Sequence, residues 1–156
     1  MSSGWASQWY QSNFSAELTI DTDGPEKVTF PTAEHYMMVR KALLFNDPAM
    51  AREILAATDL AEVRALGRRV QNFEEKTWVK NREEIVLQGN LLKFGQNEEL
   101  KKALLATGTK RLVEASPKDR IWGVGFGEKN ALAQKARWGL NLLGIALERT
   151  RESVGN

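Results

Sequence analysis

The chain has 156 residues, 42% of them hydrophobic and 27% charged, which is the make-up and length of one globular domain spanning 1–156. It contains no cysteine and one histidine, which excludes a disulfide scaffold, a thiolate metal site and cysteine catalysis, and argues against a zinc centre. A net charge of +2 is too small for a protein held to nucleic acid by phosphate neutralisation alone, and the absence of a long apolar run or signal-peptide pattern gives the expectation of a soluble, cytoplasmic protein.

Residues 17–30 read as a β-hairpin. Leu18-Thr19-Ile20 and Lys27-Val28-Thr29-Phe30 are β-prone, and Asp21-Thr22-Asp23-Gly24-Pro25 between them is turn chemistry. Pro31-Thr32 opens a helix to about Phe45, and Asp47-Pro48 is an N-cap and first-turn pair for another to about Ala57. Asp59 to Glu62 resembles a capping box for a short helix that Gly67 stops. Asn72 is expected to cap a long helix over about 74–93, with Gly89 as its weak point. A helix over 98–106, a short strand over 112–115, a turn-rich loop over 116–127 and a last helix over about 140–152 complete the chain. The fold class is α+β, mostly helical, with a small antiparallel β-sheet.

Three groups of residues can carry chemistry. Glu34 and Lys41 are seven positions apart, within about 20° of each other on one helix face, so a carboxylate and an amine can share acid/base or nucleophilic work. The same spacing also fits a solvated face with a charge at each end, and Glu34 suits the helix dipole without any chemistry. His35 beside them fits packing or a hydrogen bond better than a general base. In Ser116–Gly127, glycines 123, 125 and 127 would let backbone N–H groups approach a phosphate, Trp122 could stack on a base and Asp119 could hold a sugar hydroxyl or a water. A plain tight loop around a buried tryptophan explains that segment equally well. Arg64, Arg68, Arg69, Lys93, Gln96 and Asn97 offer phosphate and hydroxyl partners, but spacing does not say which converge. A G-x-S-x-G elbow and a Walker-type phosphate loop are both absent, which sets aside serine hydrolases and NTPases.

In this order the segments resemble the NADAR (YbiA-like, DUF1768) family. The resemblance runs from about residue 7 to 151 through Phe30-Pro31-Thr32-Ala33-Glu34-His35-Tyr36 with Lys41, Ala65-Leu66-Gly67-Arg68, Lys93-Phe94 and Gln96-Asn97. It continues through Leu104 to Gly108, then Leu112 to Pro117 with Asp119, Trp122-Gly123 and Gly125, and Asn141-Leu142-Leu143-Gly144. It implies a compact YbiA-like fold and an N-glycosidase that hydrolyses a ribose C1′–N bond without cofactor or metal. Glu34, Lys41 and Asp119 are the implied catalytic residues, and His35, Tyr36, Arg68, Lys93, Asn97, Trp122, Gly123 and Gly125 the implied substrate contacts. The ligand class is ADP-ribose or a related ribose phosphate, with ADP-ribosylated guanine in DNA or RNA as the favoured substrate. The alternatives are ribosylamino-pyrimidine phosphates of riboflavin biosynthesis, a non-catalytic ADP-ribose reader, and an antitoxin acting by binding a partner protein. Relative to the family pattern only residues 1–6 precede the Ser7-Gln8-Trp9-Tyr10 segment, so contacts from an earlier aromatic strand are expected to be missing or supplied otherwise.

Overall fold

The computed structural model describes residues 4–156. Among them, an antiparallel pair of strands, β1 (Phe14–Leu18) and β2 (Glu26–Phe30), is followed by helices α1 (Ala33–Leu44), α2 (Pro48–Ala56), α3 (Leu60–Gly67), α4 (Glu75–Gln96) and α5 (Glu98–Ala106). A short α6 (Glu128–Ala131) runs into a 3-10 stretch (Leu132–Arg137), and α7 (Leu142–Val154) closes the chain. This is the mostly helical α+β class with a two-stranded sheet.

The caps explain most helix starts. The Thr32 side chain accepts from the His35 N–H, Asp47 from the Met50 N–H and Asp59 from the Ala61 N–H, each satisfying a donor the first turn leaves unpaired. Asp47 also accepts from the Gln71 N–H at 2.9 Å, tying α2 to the segment after α3.

Helix α1 lies at the centre, against α2, α3, α4 and β2. It is therefore buried almost all round its first turns, from Ala33 to Met37. The core joins Phe14 and Phe30, paired across the hairpin with ring centroids 5.6 Å apart, to Val39, Ile54, Val63, Val86, Phe94, Leu104 and Leu147. The long α4 packs on both α1 and α7. Its Gly89 is a close-approach site, because a Cβ there would stand 2.7 Å from the Tyr36 ring. The open edge of β1 is covered by the Gln96 amide, which accepts from the Ser15 N–H at 2.8 Å and donates to the Ser15 carbonyl at 2.7 Å.

Three local expectations need correction. The first strand is Phe14–Leu18, not 18–20; its register with β2 is set by the Phe14–Phe30 pair. Asn72 does not cap α4: it sits in the left-handed region at φ 61° and its side chain donates to the Phe45 carbonyl, while Glu74 takes the cap position. Residues 112–115 form no strand, because the Asn141 side chain serves their backbone instead, accepting from the Glu114 N–H and donating to the Leu112 carbonyl, both at 2.9 Å. The helical turns over 128–137 lie just outside the turn-rich loop, in a stretch to which the sequence pattern assigns no element.

Candidate active site

A cavity of about 230 Å³ opens where α1, α3, the residue 7–9 arm and the 114–122 segment meet. Its lining includes Gln8, Trp9, Glu34, Met38, Lys41, Arg64, Arg68, Glu114, Asp119 and Trp122. The shared α1 face is thus directed inward, and the reading of Glu34 and Lys41 as a solvated pair is excluded: Glu34 is 6% exposed and Lys41 is half-buried.

Burial pushes the Glu34 carboxyl up to about 7, with Asp119 adding to the rise while Arg64 and Lys41 oppose it. Its backbone N–H is held by the Gln8 carbonyl at 2.9 Å, which fixes the start of α1 against the arm. The Lys41 ammonium donates to the Gly67 carbonyl at 2.9 Å and lies 4.8 Å from the Phe73 ring centroid and 5.5 Å from that of Trp78. Burial lowers its pKa, Glu75 counteracts this, and Arg68 adds to the lowering. The two ends of one helix face therefore hold a carboxyl that takes up a proton near neutrality and an amine that gives one up more readily than usual.

Asp119 is fixed by its own turn, Oδ1 accepting from the Ile121 and Trp122 N–H groups at 2.9 Å each. That turn sets the Trp122 indole on the cavity wall. Opposite in sequence, Trp9 reaches the cavity from the arm and carries the Arg64 guanidinium over its ring at 5.2 Å. Arg64 and Arg68 are both exposed, so they supply positive charge at the mouth and not in the depth of the cavity.

The other expected contacts sit elsewhere. His35 is buried between Thr32 and Ala57: its Nε2 donates to the Ala57 carbonyl at 2.8 Å and its Nδ1 accepts from the Thr32 hydroxyl at 2.8 Å. That pairing uses both ring nitrogens to join α1 to the end of α2. Tyr36 is packed between Phe14 and Phe30, its hydroxyl accepting from Arg40. Lys93 is fully buried and donates to the Ser7 carbonyl at 2.9 Å, and burial pulls its pKa down to about 7. Asn97 donates to the Asn13 and Lys93 carbonyls. Gly123 lets the chain pass within contact of the Glu114 and Asp119 carbonyls, and Gly125, at φ 82°, accommodates the Arg120 side chain; neither lines the cavity. Lys93 and Asn97 instead tie down the N-terminal segment, through the Ser7 and Asn13 carbonyls.

Glu114 and the arm residues Ser7, Gln8 and Trp9 were not singled out as site residues from sequence, and Arg64 appeared there only as one of several scattered cations. The one local signal for Glu114 was a carboxylate inside an otherwise apolar, β-prone tetrapeptide.

The NADAR domain model matches residues 1–154. An N-glycosidase of Acanthamoeba polyphaga mimivirus is 44% identical over 148 residues, covering 94% of this chain and 85% of that protein. The N-glycosidase YbiA of Escherichia coli K12 is 33% identical over 143 residues, covering 92% of this chain and 79% of the relative. The NMR structure of E. coli YbiA superposes with a TM-score of 0.70 at 27% identity, covering 99% of this chain and 82% of that one.

Proposed function

We propose, from the premise that the chain belongs to the NADAR domain family and is a hydrolase of the N-glycosidase type, that it removes ADP-ribose from guanine bases of nucleic acid. The observation that carries this reading is the convergence of Glu34 and Lys41 with two arginines and two tryptophans around one small cavity. A volume of about 230 Å³ suits a ribose and the bond to be cut, with the remainder of a larger substrate lying across the mouth. There Arg64 and Arg68 offer guanidinium groups to a diphosphate, and the Trp9 and Trp122 indoles offer faces for a base.

Cleaving a C1′–N bond builds positive charge on the ribose. Glu34, when ionised, places a carboxylate against that charge and accepts a proton from the attacking water. Because its carboxyl titrates at about 7, the ionised form grows as pH rises through neutrality, and turnover rises with it. Lys41 has two tasks open to it: protonating the departing nitrogen, or attacking C1′ as a neutral amine to give a Schiff base with ring-opened ribose that water resolves. Its lowered pKa supports either.

An oligonucleotide carrying ADP-ribosylated guanine is the test, with Glu34→Ala as control. Release of ADP-ribose by wild type and loss of at least about a hundredfold in the variant are expected. Full activity of Glu34→Ala would sink the assignment of Glu34. Turnover confined to ribosylamino-pyrimidine phosphates would replace the substrate, and binding of ADP-ribose without turnover of either would favour a reader.

A further inference from the structure

The cavity holds a second carboxyl that the foregoing mechanism does not use. Glu114 lines it from the segment that precedes the Asp119 turn, and its backbone is held on both sides: the N–H donates to Asn141 Oδ1 at 2.9 Å, and the carbonyl accepts from the Val124 N–H at 3.0 Å. Its Oε2 is buried without a hydrogen-bond partner. A buried carboxyl oxygen left unpaired in the free protein carries a cost unless it holds a proton or meets a ligand donor or acceptor.

The side-chain charges around the two glutamates differ. Glu34 faces Arg64 and Lys41 as well as Asp119, and the two cations favour its ionised form. On Glu114 the chain's amino-terminal charge favours the ionised form, while the side chains of Asp119 and Glu128, both negative, favour the protonated one. The Asp119 carboxylate is pinned by two backbone N–H groups, so its position is a fixed part of the site. Two carboxyls in one cavity, one with two cationic side chains beside it and the other with acidic side chains around it and a buried, unpartnered oxygen, can share the work of base and acid.

We propose that Glu114 is the general acid of the glycosidase, delivering a proton to the departing nitrogen while Glu34 works as the carboxylate. The inference rests on the N-glycosidase reading and deepens it. As the C1′–N bond breaks, its electron pair goes to nitrogen, which takes the Glu114 proton. Water supplies the oxygen of the new C1′–OH bond and its proton goes to Glu34. One proton exchanged with solvent, from Glu34 and to Glu114, restores the starting forms. Lys41 is then relieved of proton delivery and remains for the sugar or its phosphate. Burial raises the Glu114 carboxyl to about 7, opposed by the chain's amino-terminal charge and aided by Asp119 and Glu128, so the acid form is present at and below neutrality.

The experiment compares wild type, Glu114→Gln and Glu34→Gln on two substrates. One is the ADP-ribosylated guanine oligonucleotide. The other is a nitrophenyl ribofuranoside 5-phosphate, whose leaving group departs without a proton. The expected result is a kcat loss of about 10²-fold or more for Glu114→Gln on the first substrate and less than about tenfold on the second, with Glu34→Gln impaired on both. The wild-type kcat should also fall on the alkaline side of neutrality, and that limb should be missing in Glu114→Gln. Unimpaired turnover of both substrates by Glu114→Gln, or equal losses on both, would overturn the acid role while leaving the glycosidase reading intact. Inactivity of wild type on both substrates would overturn the ADP-ribosyl-guanine reading and, with it, the acid role argued on that substrate.

Discussion

Lys93 gives a stability prediction whose sign and size both follow from its burial. Its ammonium is fully buried, donating to the Ser7 carbonyl with the Tyr10 and Phe94 rings nearby, and burial brings its pKa down from 10.5 to about 7. Between those two values the unfolded chain binds a proton that the folded protein does not. Unfolding free energy must therefore climb with pH across that window, reach its full value above about 10.5, fall away as pH drops towards 7, and stay flat below. A single proton gives a slope of about 1.4 kcal/mol per pH unit, so Lys93 contributes a gain of about 2 kcal/mol between pH 7.5 and 9. Lys93→Met keeps the apolar stem and removes the titration. It also strips the Ser7 carbonyl of its donor, an offset that does not vary with pH. Urea denaturation of both proteins at several pH values reads the difference directly: the two stability profiles should diverge by about 2 kcal/mol over that interval, with wild type rising more steeply. Parallel profiles would refute the argument, because they would mean that the buried amine keeps its proton in the folded state.

Two further predictions concern the site and its frame. Arg64→Ala removes the largest charge favouring the ionised form of Glu34, so the acid limb of kcat/KM should move to higher pH, whereas Arg64→Lys should move it less; an unchanged limb would separate Arg64 from Glu34. Gly144→Ala would put a Cβ 2.1 Å from the Leu112 carbonyl and 2.4 Å from the Asn141 amide nitrogen, so α7 must shift from the 112–114 segment; thermal or urea unfolding should show a loss of about 2–3 kcal/mol.

The helices were readable where local chemistry decides them. Thr32, Asp47 and Asp59 each announce a helix start, and each accepts the bond its position calls for. Elements decided by distant partners were not. The 112–115 segment has strand-like composition, yet its bonding is taken over by one asparagine 27 and 29 residues away. Asn72 looks like a cap but turns the chain through a left-handed conformation. The same division holds at the site. Glu34 and Lys41 share a face by helical period alone, so their convergence could be anticipated. Arg64 on Trp9, and Glu114 beside Asp119, meet only because the arm, α3 and the 114–122 segment fold onto α1. Motif membership likewise could not separate contact from support: His35 and Tyr36 belong to the same heptapeptide as Glu34, but their side chains are spent on the Ala57 carbonyl and the aromatic core.

The arm that completes the cavity has a consequence for how the protein is assembled. Ser7 and Gln8 are held by Lys93 and Asn90, partners 86 and 82 residues further along the chain. Contacts of such separation bear the full entropy of closing a long loop, and they are rewarded only after α4 has docked on α1. Recovery of activity on refolding is therefore expected to lag recovery of helical content, which circular dichroism beside an activity assay reads. Coincident recovery of the two signals would show that the wall bearing Gln8 and Trp9 forms together with the helical core.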